Sequence, residues 1–147
     1  MDPEVFQKEK AKAKALYQTE RVIYSPYFKK NIYLTQTGFR HLQVVGKRKR
    51  EHNEQLFKLK FLRLGLEIIK TSSTIQEYRT GEFHDKHGLV KQAKYWGMIA
   101  IIGKDNLKIR VVLRRVGNGK ITFWSVMPYS KIKNGRQKIY EEGLETW

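Results

Sequence analysis

The strongest constraint on the fold is a change of hydrophobic period along the chain. From about Glu51 to Lys70 the pattern is helical. Lys60, Arg63, Glu67 and Lys70 form one polar stripe, and Phe57, Phe61, Leu62, Leu64, Ile68 and Ile69 fill the broad remainder. So much apolar surface on one helix predicts that it forms the centre of the core. After "KTSS" the period becomes that of strands. "TIQEYRT" alternates, "GEFHDKHGLVKQA" reads as a polar loop, and "KYWGMIAIIG", "LKIRVVLRRV" and "KITFWSVMP" are three strands divided by the turn signals "KDN" and "GNG". Helices first and strands afterwards predict an α+β fold with an antiparallel sheet of about four strands.

The first residues add less. "PEVFQKEKAKAKALYQTE" (residues 3–20) reads as a helix with Pro3 in its first turn and many strong helix formers. Its apolar positions are sparse, which predicts a weakly anchored connector over residues 1–25 and a single α+β domain over 26–147. "RVIYSPYFKK" breaks at Pro26, and "NIYLT" is a short strand. Thr37 is expected to cap a short helix carrying His41, with Gly46 ending it and Phe39 and Leu42 docking it on the body. The tail from Tyr129 to Trp147 is basic and then acidic, without a clear period.

Composition bears on partners. The chain has 30 Lys+Arg against 14 Asp+Glu, a formal net charge of +16 on 147 residues. Such an excess predicts a polyanionic ligand, nucleic acid first. The absence of cysteine excludes a disulfide scaffold, a thiolate nucleophile and a zinc ribbon. The longest apolar run, "YWGMIAIIG", is strand-sized, and "MDPEVFQKEK" lacks the apolar core of a signal peptide. A monomer without membrane insertion and without a cofactor is expected. No Walker motif, GxSxG or GxGxxG occurs, so familiar nucleotide-binding and acyl-transfer machinery is absent.

The last hairpin groups chemistry on one face. If Asn118-Gly119 is a two-residue turn, Val116 opposes Ile121, Arg114 opposes Phe123, Val112 opposes Ser125 and Arg110 opposes Met127. Ile109, Val111, Leu113, Trp124 and Val126 then form a core face. Arg110, Arg114 and Ser125 stand together on the other, where two guanidinium forks and a hydroxyl suit a phosphate. A solvated outer face is what Arg and Ser at alternating positions usually mean, and a longer turn would change the register.

His41 is either a packed helix residue or a general acid or base, its reference pKa lying near ~6.5. The run Lys47, Arg48, Lys49 and Arg50 beside it can be a solvated loop or can follow an RNA backbone. His84, Asp85 and His87 lack a clear third ligand for a metal and are expected to lie in solvent. Tyr95, Trp96 and Trp124 are expected in the core, though any exposed on the open face could stack bases.

Four short stretches, "LTQTGFRHL", "IQEYRT", "IRVVLRR" and "FWSVMP", resemble the compact nucleases of the barnase, EndoU, colicin and RelE superfamily (BECR), especially phage-like and polymorphic-toxin members. The resemblance runs from about Asn31 to Pro128. It implies a BECR-like fold, with N-terminal helices packed on one face of a twisted antiparallel sheet and RNA on the other. It also implies a metal-independent, toxin-type endoribonuclease that cleaves RNA, transfer RNA among the candidates. In such enzymes a ribose 2′-OH attacks the adjacent phosphate, giving a 2′,3′-cyclic phosphate and a 5′-OH.

By this resemblance His41 serves as base or acid, Arg114 stabilises charge on the phosphate, and Ser125 binds the phosphate or orients the nucleophile. Arg110 joins them through the hairpin register. The second acid–base partner stays open among Tyr78, Glu77 and Lys47. Also implied are action in the cytoplasm of a target cell, delivery as part of a larger protein, and an acidic immunity or antitoxin protein as partner. Two rival readings are a non-catalytic basic nucleic-acid-binding module and an enzyme on another nucleotide substrate, such as a DNase or an ADP-ribosyl transferase.

Overall fold

A computed structural model describes residues 3–45, 48–49, 52–102, 106–129, 132–133 and 136–137. Helix α1 (Pro3–Thr19) leads into the hairpin β1 (Val22–Ser25) and β2 (Lys30–Tyr33), then the short helix α2 (Gln36–His41). A small ladder of β3 (Val44–Val45) and β4 (Arg48–Lys49) precedes α3 (His52–Lys60) and α4 (Leu62–Thr71). The strands β5 (Glu77–His84), β6 (Val90–Ile102), β7 (Leu107–Val116) and β8 (Thr122–Pro128) follow. A separate ladder, β9 (Ile132–Lys133) and β10 (Arg136–Gln137), ends the described chain.

The α+β class holds, but the main sheet has six strands rather than about four, in the open order β1-β2-β8-β7-β6-β5. The two extra places go to the N-terminal hairpin. β1 pairs with β2 around the turn that follows Ser25, and β2 joins β8 through a parallel bridge, Tyr33↔Thr122. The sheet is therefore not wholly antiparallel. The stretch expected as a polar loop after "IQEYRT" is mostly strand. β5 and β6 stay paired from Glu77↔Gly97 out to His84↔Val90. Only a tight turn remains, where Asp85 Oδ1 accepts from the backbone N–H of His87 at 2.8 Å and of Leu89 at 2.9 Å, with Gly88 at φ 81°. Asp85 is thus occupied by its own turn.

The predicted central helix is two helices. Phe61 leaves helical geometry at φ −97°, ψ 6°, yet its N–H still bonds Phe57 O and its carbonyl still accepts from Gly65. All four residues of the predicted polar stripe are exposed. Leu62, Leu66, Ile68 and Ile69 of α4 are buried against Met98, Ile109, Val111, Leu113, Phe123 and Val126 of the sheet. Gly65 allows this approach: a Cβ there would lie 3.3 Å from Val126 Cγ2 and 3.4 Å from Val111 Cγ2. Among the described residues no helix is long and apolar enough to cross a membrane.

Helix α1 reaches the same core. Ala13 and Tyr17 are buried in it, and the Tyr17 ring meets Phe39 edge-on at 5.0 Å and Phe123 at 6.3 Å. The expected division between residues 25 and 26 falls inside the β1–β2 hairpin. The Tyr17 hydroxyl is buried without a hydrogen-bond partner among the described residues, and that burial raises its pKa.

The unfolded chain ionises this phenol near ~10 and the folded protein does not, so above that pH the unfolded state binds fewer protons and folding stability falls. Tyr17→Phe removes the effect. Measured by urea unfolding, the variant should match or exceed the parent at pH 7. It should then gain on it above pH 10, by at most about 1.4 kcal/mol per pH unit. Parallel stability curves would contradict a buried, unpartnered Tyr17.

Candidate functional site

The site depends on a register change inside the last hairpin. Near the turn the chain departs from the two-residue expectation: Gly117 has φ 55°, and the ladder closes at Arg114↔Thr122 instead of opposite Phe123. Farther along, the pairs Val112↔Ser125 and Arg110↔Met127 are those expected from the alternation. The one-residue difference is absorbed by a bulge, since Leu113 pairs with Phe123 while Val112 pairs with Ser125. Trp124 is the extra residue. A bulge of this kind turns two consecutive side chains toward one face. Trp124 thereby leaves the predicted core face, Phe123 takes its place there, and the indole joins the side that carries Arg114.

Helix α2 brings His41 to this indole. Its cap is Thr35, not Thr37: the Thr35 side-chain oxygen accepts from Gly38 N–H at 3.1 Å, and the helix ends at Leu42. The glycine of "QTGFRH" has a packing reason. A Cβ on Gly38 would stand 2.5 Å from the carbonyl oxygen of Phe123, so only glycine lets α2 lie directly on the β8 backbone. His41, one helical turn along, then stacks on Trp124 with ring centroids 3.9 Å apart and planes within 15°. On the indole, the Arg114 guanidinium carbon lies 3.5 Å from the ring centroid. A guanidinium on tryptophan is worth roughly 0.5–2 kcal/mol, more as the pair loses water.

Arg114 is tied to a second aromatic residue. Register places Tyr95 opposite it on β6, and burial lowers the guanidinium pKa while a hydrogen bond with Tyr95 opposes that shift. The Phe83 ring lies 5.5 Å from the same guanidinium. Neither Arg114 Nε nor Trp124 Nε1 meets an acceptor among the described residues. Two buried donors of one cluster thus lack partners among the described residues, a costly arrangement.

The other expected residues are placed differently. Ser125 lies beside Arg110 in register but is fully buried, and Lys58 of α3 donates to its Oγ and to Val126 O, both at 2.8 Å. Arg110 is 3% exposed and grips Glu77 with two bonds, Nε to Oε1 at 2.5 Å and Nη2 to Oε2 at 2.9 Å. Gly97, paired with both Glu77 and Val112, carries no side chain and so leaves room for this reach across β6. Arg110 and Ser125 therefore stabilise the hairpin's interior in this structure and do not face a ligand.

Of the basic run, Lys49 is exposed on β4 and Arg48 is its neighbour on that strand, whereas Lys47 and Arg50 lie outside the described residues. Tyr78 pairs with Trp96, which aligns with Leu113 on the core side, so it does not join Arg114. His84 and His87 are exposed in the β5–β6 arm.

Three contributors escaped sequence reading. Trp124 needed the bulge to be foreseen, and Lys58 stands outside the polar stripe, where no pattern marked it. Tyr95 was within reach, because counting back from the β6–β7 turn sets it opposite Arg114. No family model, curated protein or solved structure matches the chain.

Gly38→Ala tests the docking of α2. The added methyl meets backbone rather than a movable side chain, so a loss of about 1–3 kcal/mol is expected, the usual range for overpacking. Near-UV circular dichroism of tryptophan should change with it as the His41–Trp124 stack loosens. Unchanged stability and an unchanged tryptophan signal would contradict the close α2–β8 contact.

Proposed function

We propose that this chain is an endoribonuclease whose reacting centre is the edge of the Arg114–Trp124–His41 stack. One observation carries the reading: an imidazole and a guanidinium are held against one indole, on a face that also presents Tyr95. A phosphodiester along the rim of the indole would meet the guanidinium at its non-bridging oxygens and the imidazole at its esterified ones. In the reaction a base removes the proton of the ribose 2′-OH, the 2′ oxygen bonds to phosphorus, and the bond to the 5′ oxygen breaks. That oxygen leaves with a proton from the acid. The products are a 2′,3′-cyclic phosphate and a 5′-OH. His41 takes one of the two proton-transfer roles.

Arg114 stabilises charge gathering on the phosphorane oxygens, where a fixed, partly desolvated cation acts most strongly. Tyr95 is the candidate for the second proton role, in place of Tyr78 or Glu77. Ser125 supports the hairpin and not the nucleophile in this reading. The α+β layout, with α4 packed on one face of the sheet and Arg114 and Tyr95 paired on the other, supports a BECR-like assignment. The net charge of +16 supports RNA as substrate and an acidic inhibitor protein as partner. A toxin acting in the cytoplasm of a target cell fits the same charge.

A second reading, a nucleic-acid-binding module without chemistry, is favoured by the burial of Arg110 and Ser125, which removes two of the expected phosphate ligands.

The two are separated by incubating total RNA and purified transfer RNA with the protein in EDTA and resolving the products on a denaturing gel. The nuclease reading predicts discrete fragments ending in cyclic phosphate. His41→Ala and Arg114→Ala should each lower the rate at least ~10²-fold while both variants stay folded. Intact RNA with a folded parent protein, or cleavage by both variants at the parent's rate, would overturn it.

A further inference from the structure

A second cluster of cations lies away from the stack, at the seam where β2 meets β8. The parallel bridge Tyr33↔Thr122 joins the two strands only there, and beside it opens a cleft of about 330 Å³. Lys30, Asn31 and Tyr33 line it from β2, and Arg115, Gly119, Lys120 and Ile121 from the hairpin end. Three of these seven residues are cations and none is a carboxylate. Three like charges around one concavity repel one another, and an anion placed between them removes that cost.

The cleft is also built rather than incidental. Its floor is the 117–121 loop, held by Gly119 N–H to Val116 O at 3.0 Å, Gly117 N–H to Gln92 O at 2.7 Å and Tyr33 N–H to Ile121 O at 3.0 Å. Arg115 Nε donates to Gly119 O at 2.9 Å, which fixes the guanidinium while its terminal nitrogens remain for other acceptors. Lys120 Nζ lies 4.3 Å from the centre of the Tyr33 ring, which holds the ammonium in place, and among the described residues no carboxylate pairs with it. Asn31 supplies an amide that can donate to a phosphate oxygen.

We propose that this cleft binds the phosphate backbone of a single-stranded nucleic acid, as a subsite apart from the reacting centre. The inference rests on the RNA-ligand part of the function proposed above and extends it. β8 itself links the two places. Ile121 in the cleft and Trp124 in the stack are three residues apart, about 10 Å along a strand at ~3.3 Å per residue. Arg114 and Arg115 alternate across β7, so consecutive residues serve the two places from opposite sides of the hairpin. A strand held in the cleft would therefore turn over the hairpin end to reach Arg114.

The test uses a fluorescently labelled 2′-O-methyl RNA 12-mer, which has no free 2′-OH and cannot be cut. Anisotropy titrations over a series of KCl concentrations compare the parent protein, Lys30→Ala/Lys120→Ala, and the control Lys60→Ala/Arg63→Ala. The control removes the same charge from exposed positions on α3 and α4. The cleft double variant should loosen binding roughly tenfold and flatten the slope of log affinity against log salt by about 1.4, the value for two phosphate contacts on a single strand. The control should keep the parent slope. Parent-like behaviour of the cleft variant, or an equal loss in the control, would overturn the proposal. RNA cleavage assayed in parallel separates the two claims: a flattened slope in a protein that cuts no RNA upholds the cleft and removes the nuclease reading. Normal cutting with an unchanged slope does the reverse.

Discussion

The bulge at Trp124 is the constraint on which the site depends. A regular hairpin through β7 and β8 would send the indole to the helix side, into the place beside Leu113 that Phe123 takes here. By leaving Trp124 unpaired, the bulge places a large flat ring on the opposite side, in line with Arg114 and under α2. Bulges recur where a strand must re-aim a side chain. Here the same irregularity also repairs the register that the longer 117–121 loop would otherwise shift, so that Ser125 and Met127 still face Val112 and Arg110.

A second consequence concerns charge. A chain of net +16 would be expected to keep its cations in water, yet Lys58 is 1% exposed and Arg110 3%. Both are answered by specific acceptors: Ser125 Oγ and Val126 O for Lys58, the Glu77 carboxylate for Arg110. Burying a cation without such partners would cost several kcal/mol. Lys58 thus braces β8 from α3, and Glu77 braces β7 from β5 through Arg110. The cations left on the surface, Arg115, Lys120 and Lys30 among them, are the ones positioned for a ligand.

Much of the fold was legible in the sequence because it rests on periodicity. The apolar sector of 51–70, the strands from Glu77 onward and the pairs Val112↔Ser125 and Arg110↔Met127 all follow from alternation. The β1–β2 hairpin was half seen, since Pro26 hides the short run Val22–Ser25. The cap at Thr35 was displaced by two residues, because two threonines precede Gly38 and only its close contact with Phe123 decides between them.

His41 and Arg114 were named from the residues and do converge, but through Trp124, which periodicity assigned to the core. Arg110 and Ser125 were grouped correctly by register and misjudged in exposure. Alternation tells which face a residue takes; it does not tell what covers that face. Lys58 and Glu77, which decide the matter, come from elements distant in sequence.

The most direct test of this account is the proton NMR spectrum of the His41 ring. An imidazole stacked on an indole at 3.9 Å lies in its shielding cone. The carbon-bound ring protons of His41 should resonate well upfield of the other histidines and return to ordinary positions in Trp124→Leu. Ordinary positions in the parent protein, unchanged by that substitution, would mean that the stack does not form and that the site has been placed wrongly.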